Sequence, residues 1–475
     1  MLLRRPRVAA VAALLVLPLA GAAAAPATSF VLSVEQGTRL TDVVSRLPVG
    51  STVVARFPHV GALQVTAPAG ALGRLARVPG VRGVRTDVAL QAMSNGSGSS
   101  GGVLAPAAVG GIAGGKYTGR GVVVAVLDSG VAETAALGHS DKRLIQGPDF
   151  SGANGARDAF GHGTFMANLI AGGKVAGDTI GIAPAATVLD VKVAGADGST
   201  SLSKVVHGLD WVADHGHDCA SQAVVSLSLG AARPADGYGS DPLTDAADAV
   251  QSAGITVVTA SGNDPTQVSD PGQDPQLFTI GAADTSAATD VVASFSGRGA
   301  PAAMRKPDVV ASGVHVLSIL PEDSAIAQAN PSSRSGKLYR GSGTSQATAV
   351  AAGAVAAFLS GRTDVSAQDV RASFGTAARD LAGEADGYGL LLIPTTLVDG
   401  DAGLAPAQPA TNPDGSPNPQ ASSWAASSWS ASSWSASSWS ASSWSASSWS
   451  ASSWSASSWS ASSWSASSWA ASSWS

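Results

Sequence analysis

Residues 341–359 read Gly-Ser-Gly-Thr-Ser-Gln-Ala-Thr-Ala-Val-Ala-Ala-Gly-Ala-Val-Ala-Ala-Phe-Leu, and from Thr344 onward the stretch is small and apolar on every side. A helix with no polar stripe has no face to give to water, so it must be enclosed by a large core. A hydroxyl at the start of such a helix stands out. Ser345 follows Gly341, Gly343 and Thr344, which places its backbone N–H near the positive helix N-terminus, where developing oxyanion charge is stabilised. Taken alone, the position reads first as an ordinary N-cap, a common place for Ser and Thr.

The chain is long enough to build that core. Cys219 is the only cysteine among 475 residues, so no intrachain disulfide forms and burial must supply the stability. Cys219 itself reads as a small buried hydrophobe near the end of a helix. Continuous β-branched and apolar runs at 122–127, 187–193, 224–229, 255–260 and 277–281 mark strands covered on both faces. Helical patterns separate them at 162–171, 201–213 and 242–252, the last opening after Asp241 as an N-cap. Alternating strand and helix over this length predicts a three-layer α/β domain with a mostly parallel sheet, whose sites gather at the carboxyl ends of the strands.

That rule singles out Asp128, which directly follows the first buried run and needs a partner for its carboxylate. His162 is the candidate. In Asp158-Ala-Phe-Gly-His-Gly-Thr164 the imidazole stands between two glycines at a predicted helix start, where backbone and substrate approach closely. An imidazole takes a serine proton well only if its tautomer is fixed, and a carboxylate does that.

The regions flanking this domain differ in kind. Residues 1–27 combine Arg4, Arg5 and Arg7 with an apolar run at 8–20 and small residues after it, the pattern of a secretory signal peptide. No other stretch is long and apolar enough to cross a bilayer, so a soluble, exported chain is expected. Residues 30–87 alternate as β-α-β-β-α-β, which predicts a small α+β, ferredoxin-like module. Residues 88–102, Gly- and Ser-rich, read as a cleavable linker. After the domain fades near 398, residues 399–420 form a Pro-rich linker. Residues 421–475 then repeat Ala-Ser-Ser-Trp-Ser eleven times with small variations and carry eleven of the twelve tryptophans. A five-residue period makes no single stripe on a helix and alternates faces on a strand, so this tail is expected to be disordered. The formal net charge of −6 offers no basic field for nucleic acid.

Three segments together resemble a known family. Asp128-Ser-Gly130, Gly161-His-Gly-Thr164 and Gly341-Ser-Gly-Thr-Ser-Gln-Ala347 are similar to the active-site signatures of the subtilisin-like serine proteases, in the same Asp, His, Ser order. The resemblance runs from about residue 117 to 391. It implies a triad of Asp128, His162 and Ser345, and Ala260-Ser-Gly-Asn263 resembles the segment that carries the oxyanion asparagine, here Asn263. Ser228-Leu229-Gly230, with Ser261 and Gly262, resembles the edges that bind an extended polypeptide substrate. Gly230 and Gly262 would leave room for a large side chain. Asp270 falls near the end of that pocket and reads as a solvated loop residue.

The family commonly carries an inhibitory propeptide, which the 30–87 module resembles. It implies a self-processing zymogen, cut near Leu90, Gln91, Ala92 or Met93. No metal or cofactor enters the implied chemistry. The segment 172–182 is short beside relatives with a calcium loop there, and Asp178 lies in no dense carboxylate cluster, so a structural calcium stays open. Asn168 replaces a common glycine, with its packing left open. The tail has three open roles: stacking on cell-envelope or other polysaccharide, self-association, or no partner. The amphipathic indole favours the first. Two other readings compete with the protease: a secreted adhesin on a spent scaffold, which has no need of all four residues, and an α/β-hydrolase esterase, whose acid and histidine follow the serine.

Overall fold

The structure, a computed structural model, describes residues 27–92, 102–109, 117–140, 142–153, 157–231, 238–286, 289–299, 305–381 and 386–398. The expected leader up to residue 26, the 399–420 linker and the 421–475 repeats lie outside the described residues.

The first unit contains β1 (Ala27–Val34), α1 (Leu40–Val44), β2 (Thr52–Phe57), β3 (Ala62–Pro68), α2 (Leu72–Leu75) and β4 (Val81–Thr86). Its strands pair antiparallel in the order β4-β1-β3-β2. Alternation directs Phe30, Leu32, Leu63, Val65 and Val84 into one small core over Val43 and Leu75. Both helices are short, of 5 and 4 residues; Gly70 and Gly73 weaken the second, which begins as a 3₁₀ turn at Ala69–Ala71.

Part of the expected linker is a strand. β5 (Ala89–Ala92) follows β4 after only Asp87 and Val88. The large domain then runs through α3 (Ala105–Ala108), β6 (Val122–Asp128), β7 (Leu144–Asp149), α4 (His162–Ala171), the hairpin β8 (Lys174–Val175) and β9 (Asp178–Thr179), β10 (Thr187–Lys192), β11 (Thr200–Ser201) and α5 (Leu202–His215). It continues with β12 (Gln222–Leu227), β13 (Leu229–Gly230), β14 (Tyr238–Gly239), α6 (Pro242–Ser252), β15 (Thr256–Ala260), β16 (Phe278–Asp284), β17 (Val291–Val292) and β18 (Val309–Ser312). The last elements are β19 (Val316–Ser318), α7 (Ala325–Ala329), β20 (Arg334–Ser335), β21 (Leu338–Gly341), α8 (Thr344–Leu359) and α9 (Ala367–Ala377).

The central sheet has the order β17-β16-β15-β12-β6-β10-β7, with β18 also on β16, and every pair is parallel except β16 with β17. Both faces of this sheet are covered. Val122, Val124 and Val126 of β6 face α4 and α8, while Val123, Ala125 and Leu127 face α5 and α6, so alternate residues of one strand enter two different cores. Every residue of α8 is buried, as its sequence requires. Two expectations fail. Cys219 is exposed in the turn after α5, because the helix stops at His215 and the chain leaves the core there. Asp270 is buried, not solvated, because its backbone pairs with Ala231 and draws the side chain inward.

The first unit sits on α5 and α6. Asp87 accepts the Ser203 N–H at 2.8 Å and the Ser203 hydroxyl at 2.7 Å, at the first turn of α5. Asp210, further along α5, accepts the N–H groups of His59 and Val60 at 2.7 and 3.0 Å. β14 adds itself to β4 as a fifth strand of the small sheet.

Candidate active site

β6 ends in Asp128, and the turn that follows needs Gly130 at φ 104°. Asp128 is 1% exposed, and its two carboxylate oxygens each lie 2.8 Å from His162 Nδ1. Oδ1 also accepts the Ser129 N–H at 2.7 Å. His162 opens α4 after Gly161, whose φ of 103° turns the chain into the helix. Gly163 permits the approach of the two segments, since a Cβ there would lie 2.2 Å from the Gly130 carbonyl oxygen. A carboxylate only accepts, so Nδ1 carries a hydrogen, and in the neutral imidazole Nε2 is then the end with the lone pair. Among the described residues Nε2 is buried and has no hydrogen-bond partner.

Ser345 is the second residue of α8, whose N-cap is Gly343 at φ 151°. The side chain is buried, and its hydroxyl donates to the Ser228 carbonyl at 3.3 Å, not to His162. Asn263 is fixed from one end: its Oδ1 accepts the Thr344 N–H at 3.0 Å and the Thr344 hydroxyl at 2.9 Å. Two donors on the oxygen define the amide orientation and make Nδ2 the end that donates. The helix N-terminus, with the Ser345 N–H, adds positive potential at the same place.

The expected substrate edge is occupied. β5 lies antiparallel between β11 and β13, with Leu90 opposite Thr200, Gln91 opposite Gly230 and Ala92 opposite Leu229. Leu90 is buried in the core that also holds Leu202, Leu209 and Leu229. Ser228 is tied to Ser345: its hydroxyl donates to the Ser345 carbonyl at 3.4 Å, and its own carbonyl accepts the Ser345 hydroxyl at 3.3 Å. Ser261 and Gly262 directly precede Asn263, and a Cβ on Gly262 would meet Ser269 Oγ at 2.2 Å, so its missing side chain accommodates Ser269.

Behind the site lies a set of buried charges that sequence reasoning passed over. Asp158 accepts from Ser129 Oγ (2.8 Å), the Gly161 N–H (2.7 Å), the Thr164 N–H (2.8 Å) and the Thr164 hydroxyl (2.8 Å). Burial still pushes its carboxyl above the usual range against those four bonds. Its signal was present, an Asp three residues before a helix-opening glycine, which is the spacing of a capping side chain. Lys192 donates to the carbonyls of Ser129 and Arg157 at 2.7 and 3.1 Å. Asp190, on the same face of β10, is pushed up to about 7, first by burial, with the Val131 N–H and Lys192 opposing and Asp158 and Asp128 adding to it. Asn168 meets no strain; it donates to the Thr164 carbonyl at 2.9 Å and accepts from the Thr134 hydroxyl at 3.1 Å. Among the described residues no three or more His, Cys, Asp or Glu side chains group as metal ligands.

The profile of the subtilase family (Peptidase_S8) matches residues 119–390. The chain is 35% identical over 269 residues to serine protease AprX of Bacillus subtilis (strain 168), over 54% of this chain and 60% of that protein. It is 36% identical over 241 residues to subtilisin BL of Lederbergia lenta, over 50% of this chain and 76% of that protein. In three dimensions it resembles the crystal structure of fervidolysin from Fervidobacterium pennivorans, a keratinolytic enzyme related to subtilisin. The TM-score is 0.60 at 20% identity, over 78% of this chain and 62% of that one, a likeness of fold. The matched region thus spans 60% of the length of AprX.

Proposed function

The chain belongs to the subtilase family, and from that premise we propose that it is a secreted serine endopeptidase made as a self-processing zymogen. The observation that carries this reading is His162, held through Nδ1 by both oxygens of Asp128 and left with a bare, buried Nε2. Ser345 turns its hydroxyl from Ser228 toward His162 and attacks the scissile carbonyl. The Oγ–C bond forms as the proton passes to Nε2, and the carbonyl electrons move onto oxygen. Asn263 Nδ2 and the Ser345 N–H receive that oxyanion, and Asp128 stabilises the imidazolium. The C–N bond then breaks, the leaving amine takes the proton from Nε2, and water repeats the sequence to free the acid. No metal or cofactor enters these steps.

The position of β5 in the cleft supports the role of the first unit as an inhibitory propeptide, with processing after Ala92 or Met93. The test is the intact mass and N-terminal residue of the exported protein, wild type beside Ser345→Ala. Loss of residues 27–92 from wild type alone is expected; retention of that unit by both proteins overturns the self-processing reading. The pentad tail is proposed to hold the enzyme on cell-envelope polysaccharide through its indoles. Equal retention of a Trp→Ala tail on isolated walls would remove that role.

A further inference from the structure

The surface where the first unit meets α6 is a built receptor for an arginine side chain. Arg85 of β4 is 2% exposed; its Nη1 lies 2.6 Å from Asp241 Oδ2 and 3.8 Å from Asp270 Oδ2. Both carboxylates are set by the large domain. Asp241 caps α6, its Oδ1 accepting the N–H groups of Leu243 and Thr244 at 2.9 and 3.3 Å, which commits Oδ2 to the guanidinium. Asp270 is fixed through its backbone, which exchanges hydrogen bonds with Ala231. One turn along α6, Asp245 holds Arg82 at 3.2 Å.

The backbone is received as well. Tyr238 and Gly239 of β14 pair with Val84 and Gly83 of β4. Gly83 is what lets the strands meet, because a Cβ there would lie 1.9 Å from the Ser240 carbonyl oxygen. When the first unit departs, the pocket loses the Arg85 guanidinium that Asp241 Oδ2 holds at 2.6 Å, and an arginine on a substrate restores the same charge-assisted contact. A planar fork between two carboxylates selects guanidinium over ammonium.

Resting on the protease reading, we propose that the Asp241 and Asp270 pocket, with the edge of β14, is an exosite for polypeptide substrates carrying an arginine on the amino side of the cleaved bond. The register follows from the chain itself. A substrate lying in the cleft as β5 does, and continuing along the path of β4, places in the pocket the residue six positions before the one opposite Gly230 (91 − 85 = 6).

The test compares hydrolysis of three quenched peptides by the processed enzyme: residues 82–97, the same peptide with Arg85→Ala, and a short peptide beginning at Ala89. The Arg85→Ala peptide is expected to lose about tenfold or more in kcat/KM, chiefly through KM. The ratio between the two long peptides should fall toward one in Asp241→Asn, which keeps a capping oxygen while losing the charge, and in Asp270→Asn. A ratio of one in wild type, with the short peptide still cleaved, overturns the exosite and leaves the protease reading intact. A ratio that persists in both variants also overturns it. If no peptide is cleaved, the protease reading fails and the exosite with it.

Discussion

Ser129 donates its hydroxyl hydrogen to Asp158 at 2.8 Å and accepts the Gly163 N–H at 3.0 Å. One hydroxyl thus ties the segment carrying Asp128 to the helix carrying His162, and Asp158 anchors it. Asp158→Ala leaves four donors facing an empty, buried space, and Asp158→Asn turns an amino group toward some of them. Both should lose stability, by about 3 kcal/mol for alanine. If Asp158 positions the imidazole, kcat per titrated active site also falls, with KM nearly unchanged. A lowered melting temperature with kcat per active site intact would mean that Asp158 only stabilises the fold.

Asn263 is oriented by Thr344 before any substrate arrives. Removing its donor end with Asn263→Ala should lower kcat by about a hundred- to a thousandfold and leave KM within about twofold, the pattern of an interaction made in the transition state. A rise in KM with kcat preserved would contradict the assignment.

Gly83 faces Ser240 across the joint between the two units, far along the chain from Ser345. A methyl group there cannot fit without parting β4 from β14. In the full-length Gly83→Ala protein, activity on a short peptide should appear earlier after synthesis than in wild type. Identical time courses would show that the joint does not govern release.

Asp190 gives a stability effect with a definite sign. Its carboxyl titrates near 7 in the folded chain, raised chiefly by burial, against 3.8 for the unperturbed group. The folded state therefore binds the proton more tightly than the unfolded chain between these values. Its contribution is fully present below about pH 4 and is lost as the pH rises through about 7. Asp190→Asn should melt higher than wild type at pH 8, with the difference shrinking toward pH 4. Melting curves at both pH values decide it; a difference that grows toward acid pH would sink the assignment.

The sequence displayed the elements that depend on local pattern. The helices at His162–Ala171, Pro242–Ser252 and Thr344–Leu359 begin and end where glycine, Asp241 and the apolar run place them. It hid those that exist only through partners. β5 has little strand character of its own and becomes a strand because β11 and β13 flank it. β7 carries Gly147 and Pro148 at the sheet edge, and Gly147 is required because a Cβ there would lie 2.5 Å from the Asp190 carbonyl oxygen. The motifs pointed to Asp128, His162, Ser345 and Asn263. They were silent about Asp190, whose importance arises from burial, and about the inward turn of Asp270, while Asp158 showed only as a capping spacing before Gly161. The contact of Gly262 with Ser269 was hidden too, because Ser269 comes from a later loop.

β5 reaches the cleft as a direct continuation of β4, with two residues between them. While the chain is whole, this strand is present at a local concentration set by its tether, on the order of millimolar for short connections. A single cut after β5 would turn that fixed occupancy into a bimolecular equilibrium. The same molecules would then be silent where they are crowded and active where they spread out, so specific activity should climb on dilution. Constant specific activity across a thousandfold dilution would show that the strand leaves the cleft at the moment of cutting.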